Sequence, residues 1–375
     1  MDDTVHNSII IPVFKNEVLL HILLNSLIPT IDANCEIIII DDGFDDIKID
    51  SAKLPHGIIY HSNTKNLGYA ASVNIGVSLA KGKLITTINS DIIIYSEWLQ
   101  KTRILFKSND RLGVLGAKLL YPSDGTIQHA GVFFSGINYM FHAFRGNSKD
   151  IFGNKPMELN AVTFAFVSFL KSDFIQIGGL DENYYNSHED IDFCLRIINI
   201  GKQVYIDPAI QAYHITSASE DQRFLKSDEA GVFFLNKWNK LYINDAENIF
   251  YLSKSYYEKN DGLWPEEAVV INLCRKQHPK AYIKFKELAE IKEVAYYSFS
   301  EVVKEVPKYY QKFDLNLIRV LPFSFLEMKW PIVYIIDSFQ SLKENHYWQL
   351  NRKNKNDFIF DYSFNIISMK KLMSP

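Results

Sequence analysis

Cysteine is scarce in this chain. The three present, Cys35, Cys194 and Cys274, are odd in number and far apart, which speaks against a disulfide framework and leaves no closely spaced pair of the kind that holds zinc. The expected setting is therefore a reducing one, the cytosol. An excess of charge is missing as well. Lys plus Arg number 40 against 44 for Asp plus Glu, a formal net charge of −4, so there is no global electrostatic footprint for nucleic acid and no such partner is expected. Long apolar runs are lacking too. The nearest candidate for a spanning helix, Leu321 to Phe339, is interrupted by Glu327, Lys329 and Asp337, whereas a span needs about 20 mainly apolar residues. The acidic start Met-Asp-Asp-Thr and its short first apolar run are unlike a signal peptide. Membrane contact, at the inner face of the cytoplasmic membrane, is then expected to be peripheral. Internal repeats and low-complexity stretches are also absent.

What is present is globular. Hydrophobic residues make up 47% and aromatics 14% of 375 residues, enough for a large core and about two domains. Ser8 to Phe14 is a continuous, largely β-branched apolar run, the signature of a parallel strand covered on both faces. Glu17 to Leu27 has helical spacing and is closed by Pro29. Cys35 to Asp41 is a second buried strand, ending in Asp41, Asp42 and Gly43. Gly57 to Ser62 is a third, followed by a turn holding Asn66-Leu67-Gly68 and a helix of small residues from Ala70 to Ala80. Leu84 to Asp91 is a fourth strand running into the polar tip Asn89-Ser90-Asp91. The β-α-β-α-β order argues for a right-handed, mostly parallel sheet. Polar residues gather at the carboxyl ends of its strands, where open α/β sheets bind ligands.

From Gly113 onward the pattern changes to shorter strands around a polar turn, with an irregular loop from Ile137 to Pro156. Ala161 to Leu170 is another apolar run. A second polar cluster, His188-Glu189-Asp190-Ile191-Asp192, opens a helix reaching Gly201, and Val204 to Pro208 with Ala212 to His214 completes the sheet-like material. Beyond about Tyr242 helical periodicity dominates, so residues 243–375 are expected to form a mainly helical appendage serving oligomerisation, acceptor binding or membrane docking. Trp330, Trp348 and the lysine-rich stretch Asn351 to Pro375 are its candidate surface features.

Each polar cluster admits two chemistries. Asp41 or Asp42 either accepts hydrogen bonds from a base imide or ribose hydroxyl, or closes an Asx turn with Gly43. Asp91 either starts a turn or ligates a hard divalent cation, which a lone carboxylate holds only if phosphate completes the site; His214 could add an imidazole, favouring Mn. Asp190 either caps its helix or takes a proton from an acceptor hydroxyl.

In order and spacing, the chain from Ser8 to Tyr242 resembles the family 2 inverting nucleotide-sugar glycosyltransferases, and within them the bacterial rhamnosyltransferase-like group. The pieces that carry the resemblance are Ile10-Ile11-Pro12-Val13-Phe14, Asp41-Asp42-Gly43, Asn66-Leu67-Gly68 with Asn74 and Gly76, and Asn89-Ser90-Asp91. Further along come Gln128-His129-Ala130-Gly131, Gly178-Gly179-Leu180-Asp181, the run Glu189 to Arg196, and His214 with Ser219. The resemblance implies an α/β GT-A (Rossmann-like) fold, a mostly parallel central sheet flanked by helices. It would occupy residues 1–242, with a nucleotide-sugar part to about residue 110 and an acceptor part beyond. It further implies a nucleoside-diphosphate sugar donor lined by Pro12, Val13, Phe14, Asp41, Asp42, Asn66, Gly68, Asn74, Asn89 and Ser90. Asp91 and His214 would meet a divalent cation (Mn or Mg), Asp190 would be the base, and His129, His188 and Glu189 would face the sugar or acceptor. The acceptor implied is a glycan or lipid-linked glycan, as in lipopolysaccharide or capsule assembly. Asn89 departs from the family's Asp-x-Asp pattern, where the first position is often acidic. Two other readings compete: a nucleotidyltransferase, which would want a Gly-rich basic loop where Val13-Phe14-Lys15-Asn16 stands, and a non-catalytic nucleotide-sugar-binding scaffold.

Overall fold

The computed structural model describes residues 7–43, 57–134, 140–142, 144–145, 148–153, 155–184, 187–215, 227–239, 241, 243, 245, 268–272, 294–298, 332–336 and 358–361. The chain divides into two units, Met1–Ile243 and Asn244–Pro375. In the first, strands and helices alternate: β1 (Asn7–Val13), α1 (Glu17–Leu27), β2 (Cys35–Asp41), β3 (Ile59–Ser62), α2 (Tyr69–Leu79), β4 (Leu84–Ile88), β5 (Ile92–Ile94) and α3 (Leu99–Ser108). Then follow β6 (Leu112–Leu120), β7 (Ile127–His129), β8 (Val132–Phe134), β9 (Met140–His142), β10 (Met157–Leu159), β11 (Phe166–Leu170), α4 (Lys171–Gln176), α5 (Glu189–Asn199), β12 (Gln203–His214) and α6 (Ser227–Lys237).

The main sheet runs β10-β12-β6-β11-β4-β1-β2-β3, with β5 added to β12 and β7 to β6. β3, β2, β1 and β4 are mutually parallel, and β12 is parallel to β6. β11 lies between β4 and β6 antiparallel to both. The parallel half reads as continuous apolar runs because helices cover both faces: every residue of β1 is buried. On one face α1 buries Leu20, Leu23, Leu24 and Leu27 against Ile9, Ile11, Ile37 and Ile39. The α1 start is set by Asn16, whose Oδ1 accepts the Leu19 N–H at 3.1 Å. On the other face α2 presents small residues, and Gly76 is required there: a Cβ at that position would stand 2.4 Å from Ile10 Cγ2.

Two local features place the site. β12 contains Pro208, which has no N–H to give to a ladder, and its register against β6 shifts between Asp207 and Gln211. Beyond that bulge β12 pairs with β5, His214 opposite Ile92, which carries His214 to the carboxyl end of β4. The second feature is an aromatic cluster. Phe164 and Phe169 stack at 5.6 Å, Phe169 and Phe174 at 5.1 Å, and Phe193 packs against all three. It seats α5 on β11 and so fixes where Asp190 emerges.

Within the expected loop Ile137 to Pro156, the described residues include β9 and a turn of 3-10 helix at Lys149–Phe152. The second unit differs from the expected mainly helical appendage in the elements described there, which are all strands. β13 (Ala268–Asn272), β14 (Val294–Ser298), β15 (Ile332–Ile336) and β16 (Phe358–Asp361) form a parallel sheet in the order β14-β13-β15-β16. The physical reason is length: these apolar runs of four or five residues are too short to show period-2 alternation against long intervening polar segments. Trp330, Trp348, Ser219 and the stretch Asn351 to Pro375 apart from β16 lie outside the described residues. Among the described residues no helix is long and apolar enough to cross a membrane.

Candidate active site

The carboxyl ends of β1, β2, β4 and β12 meet along one edge of the sheet. Val13 and Asp41 are opposite one another in the β1–β2 register, and both are buried. Asp41 Oδ1 accepts the Gly43 N–H at 2.8 Å, and Oδ2 accepts the Tyr60 hydroxyl at 2.5 Å. Burial, and then the Asp41 carboxylate, push the Tyr60 phenol above its ordinary range. Asp42 faces inward instead. Its Oδ1 accepts Leu67 N–H at 2.7 Å and Asn63 Nδ2 at 2.9 Å, and its Oδ2 accepts Gly68 N–H at 2.8 Å. Desolvation raises its pKa against those three bonds. Asp42 therefore clamps the Asn66-Leu67-Gly68 turn, whose Gly68 has φ +87°, a conformation that favours glycine.

At the end of β4, the Asn89 N–H donates to Ala165 O at 2.9 Å and Ile215 N–H donates to Asp91 O at 2.9 Å. These bonds lock the tip between β11 and β12. His214 Nε2 lies 3.1 Å from Asp91 Oδ1 without hydrogen-bond alignment. On the other side of the ring, His214 Nδ1 is 2.5 Å from Gln128 Oε1. The Gln128 amide is oriented by its own Nε2, which donates to His214 O at 3.2 Å. So Nδ1 carries a proton, and Nε2 points beside a carboxylate oxygen. With Nε2 unprotonated, the two lone pairs would repel unless a cation lay between them, and an oxygen plus an imidazole nitrogen suits Mn, with Mg accepting the oxygen alone. Asn89 Oδ1, buried and without a partner in the structure, adds a third acceptor at the tip. Among the described residues no cluster of three or more His, Cys, Asp or Glu stands ready to hold a metal.

The third part is the start of α5. His188 precedes it with φ +71°, left-handed for a non-glycine residue and a strained backbone of the kind found at functional sites. Asp190 Oδ1 accepts the Ile191 N–H at 2.8 Å, and Thr163 and the Phe164 N–H also bond the carboxylate. Desolvation outweighs these bonds and the nearby His188, and holds Asp190 above the usual carboxylate range. The segment 161–166 joins this part to the last. Phe164 O accepts from Thr87 at 3.3 Å and Tyr69 at 2.9 Å, and the next carbonyl, Ala165 O, holds Asn89.

Residues 8–177 match the Glycosyl transferase family 2 model. That stretch is similar to glycosyl transferase family 2 domains. An uncharacterized protein of Sinorhizobium fredii is 30% identical over 235 residues, 58% of this chain and 25% of that protein. An uncharacterized glycosyltransferase of Haemophilus influenzae is 30% identical over 116 residues, covering 30% of this chain and 36% of its own. Rhamnosyltransferase WbbL of Escherichia coli is 32% identical over 79 residues, 21% and 29% of the two chains. The chain thus spans about a quarter to a third of these relatives. Among solved structures, GalNAc-T7 with UDP, GalNAc and Mn2+ superposes with a TM-score of 0.52 at 15% identity, over 63% of this chain and 48% of that one. That likeness is one of fold: the central sheet with flanking helices is of GT-A type.

Within the first unit, several expected site residues make contacts inside the fold. Asn74 places its amide on the Leu180 turn, donating to Leu180 O at 3.0 Å and Glu182 Oε1 at 2.8 Å and accepting Leu180 N–H at 2.9 Å. His129, expected on the acceptor side, is buried. Its Nε2 accepts the N–H groups of Gly131 and Thr163, each at 3.2 Å, and its Nδ1 meets His142 Nδ1 at 2.7 Å. Burial and the two neighbouring histidines keep it neutral. His188 lies half-buried against the Phe234 ring at 5.3 Å, with Nδ1 2.7 Å from the Ser187 hydroxyl, and Glu189 is buried. Three contributors had no functional reading in the sequence: Tyr60, Gln128 and Thr163. Only Gln128 stood inside a recognised motif.

Proposed function

We propose that this chain transfers a sugar from a nucleoside-diphosphate donor to a hydroxyl of a glycan or lipid-linked glycan, with inversion at the anomeric carbon. The observation that carries this reading is the short segment Thr163 to Ala165, which holds Asp190 and the Asn89-Ser90-Asp91 tip on one sheet edge. Pro12, Val13, Phe14 and Asp41 line the nucleoside end, where an acceptor-only carboxylate reads an imide N–H or ribose hydroxyl. The Asn66-Leu67-Gly68 turn, held by Asp42, borders it.

Asp91 Oδ1 and His214 Nε2 would hold a divalent cation, a reading supported by their 3.1 Å separation and by the Mn2+ bound in the GalNAc-T7 structure. When bound, it offsets charge growing on the leaving diphosphate. Asn89 and Ser90 orient the diphosphate from the same tip. Asp190 takes the proton from the acceptor hydroxyl, which attacks the anomeric carbon opposite the departing diphosphate; one displacement inverts that centre. A carboxyl held above its usual range is better matched to that proton than an exposed Asp.

The test begins with a thermal-shift screen of nucleoside-diphosphate sugars with Mn or Mg, since a ligand that binds only the folded state raises the melting temperature. With the donor so found, Asp190→Asn is expected to abolish transfer while leaving the donor-induced shift intact. Near-normal turnover in that variant removes Asp190 from the role.

A further inference from the structure

We infer that Gln128 is a positioning residue that sets the tautomer of His214, so that Nε2 presents its lone pair beside Asp91 Oδ1. The inference rests on the metal-assisted reading above and adds a residue to it.

The argument is one of hydrogen-bond bookkeeping. Gln128 is 6% exposed and His214 equally so, so neither has water to fall back on. A glutamine amide offers one acceptor oxygen and one donor nitrogen, and the two differ in what they can meet. The nitrogen end is claimed by a carbonyl, His214 O at 3.2 Å, which can only accept. The oxygen end, Oε1, therefore faces His214 Nδ1 at 2.5 Å, and Oε1 can only accept. Nδ1 must carry the proton. Without Gln128 the proton would be free to sit on Nε2, the nitrogen 3.1 Å from Asp91 Oδ1. That tautomer would take away the nitrogen lone pair that a cation needs. Gln128 thus holds the tautomer that leaves Nε2 open, which is how partners of a ligating imidazole tune a metal site.

The strand pairing makes this possible. Gln128 sits on β7 and His214 at the end of β12, strands that share β6 as a neighbour. The next residue, His129, turns its Nε2 to the Thr163 N–H at 3.2 Å, and Thr163 in turn bonds Asp190. Two consecutive residues of β7 therefore brace both halves of the site.

The measurement uses the full chain. In the metal-free protein labelled at its histidine ring nitrogens, NMR reads which nitrogen of His214 is protonated, with His214→Gln identifying the resonance. The expected result is a proton on Nδ1 in the wild type and a shift toward Nε2 in Gln128→Leu. Mn2+ titrated in the presence of inorganic pyrophosphate should bind Gln128→Leu on the order of 10- to 100-fold more weakly. Gln128→Glu, which keeps the acceptor oxygen, should stay within a few-fold of wild type. A merely structural role would weaken the Leu and Glu variants alike, and that result overturns the inference. So does a wild-type His214 protonated on Nε2, a measurement that needs no variant to fold. Neither readout involves turnover, so loss of the transferase reading through Asp190→Asn and loss of this one are separate outcomes.

Discussion

In the role proposed above, Asp190 makes two demands on pH that pull in opposite directions. As a base it would work only when deprotonated, so the acid limb of kcat/KM is expected above the ordinary carboxylate range, the direction in which burial shifts it. For folding the sign is reversed. Between the ordinary and the raised value the folded state binds a proton that the unfolded chain does not, so lowering the pH through the raised value adds stability. Asp42 and Asp207, also raised by desolvation, act the same way. Mild acid should therefore silence the enzyme reversibly before it unfolds; activity and near-ultraviolet circular dichroism followed together across pH check this, and coincident loss of both contradicts it. Tyr60→Phe strips one donor from the buried Asp41 carboxylate and should cost about 1–3 kcal/mol in urea unfolding. At this scale the sequence marked the polar residues that end an apolar strand, as Asp41 and Asp91 do, or open a helix, as Asp190 does. It did not reveal which motif residues bond within the fold, as Asn74 and His129 do. It was silent on Tyr60 and Thr163, whose meaning comes only from the partners that strand pairing brings them.

The elements of the parallel half were legible because each is short, apolar and bounded by a recognisable stop, as Pro29 bounds α1 and Gly82 the helix before β4. Gly76, inside α2, carries a test. Gly76→Ala places a methyl group against Ile10, and despite the better helix propensity of alanine it should destabilise by about 1–3 kcal/mol. β12 was legible only as two fragments, because Pro208 reads as a break until the bulge around it is known. The acidic start of α5 also hid a division of labour. Asp192, fully buried, accepts Arg196 Nε at 2.7 Å and Trp238 Nε1 at 2.9 Å, and pairs with Lys237 at 2.8 Å. Arg196 also donates to Ile177 O at 2.8 Å and Gly179 O at 2.7 Å. Arg196→Leu should thus cost about 3–5 kcal/mol, measured by chemical denaturation, because it leaves a buried charge and two carbonyls short of partners. Lys237→Ala, at a more exposed position, should cost far less.

At the scale of the whole molecule the two units are separable predictions. A chain ending at Ile243 should fold and keep its Mn2+ and pyrophosphate binding, since all the site residues lie within the first unit; loss of both would show that the second unit completes the domain. The parallel sheet of that second unit was obscured in the sequence by its long connections, a case where strand pairing leaves little local trace. The placing of β11 has a further consequence, for synthesis. β4 pairs on one side with β1, made early, and on the other with β11, whose last residue, Leu170, lies opposite Leu84. While the ribosome is still making residues between them, β4 is an open edge, rich in β-branched residues and able to pair with another nascent chain. The strand that leads into the Asn89-Ser90-Asp91 tip thus stays an open edge until β11 emerges, and β6 stays one for longer still, until β12 follows.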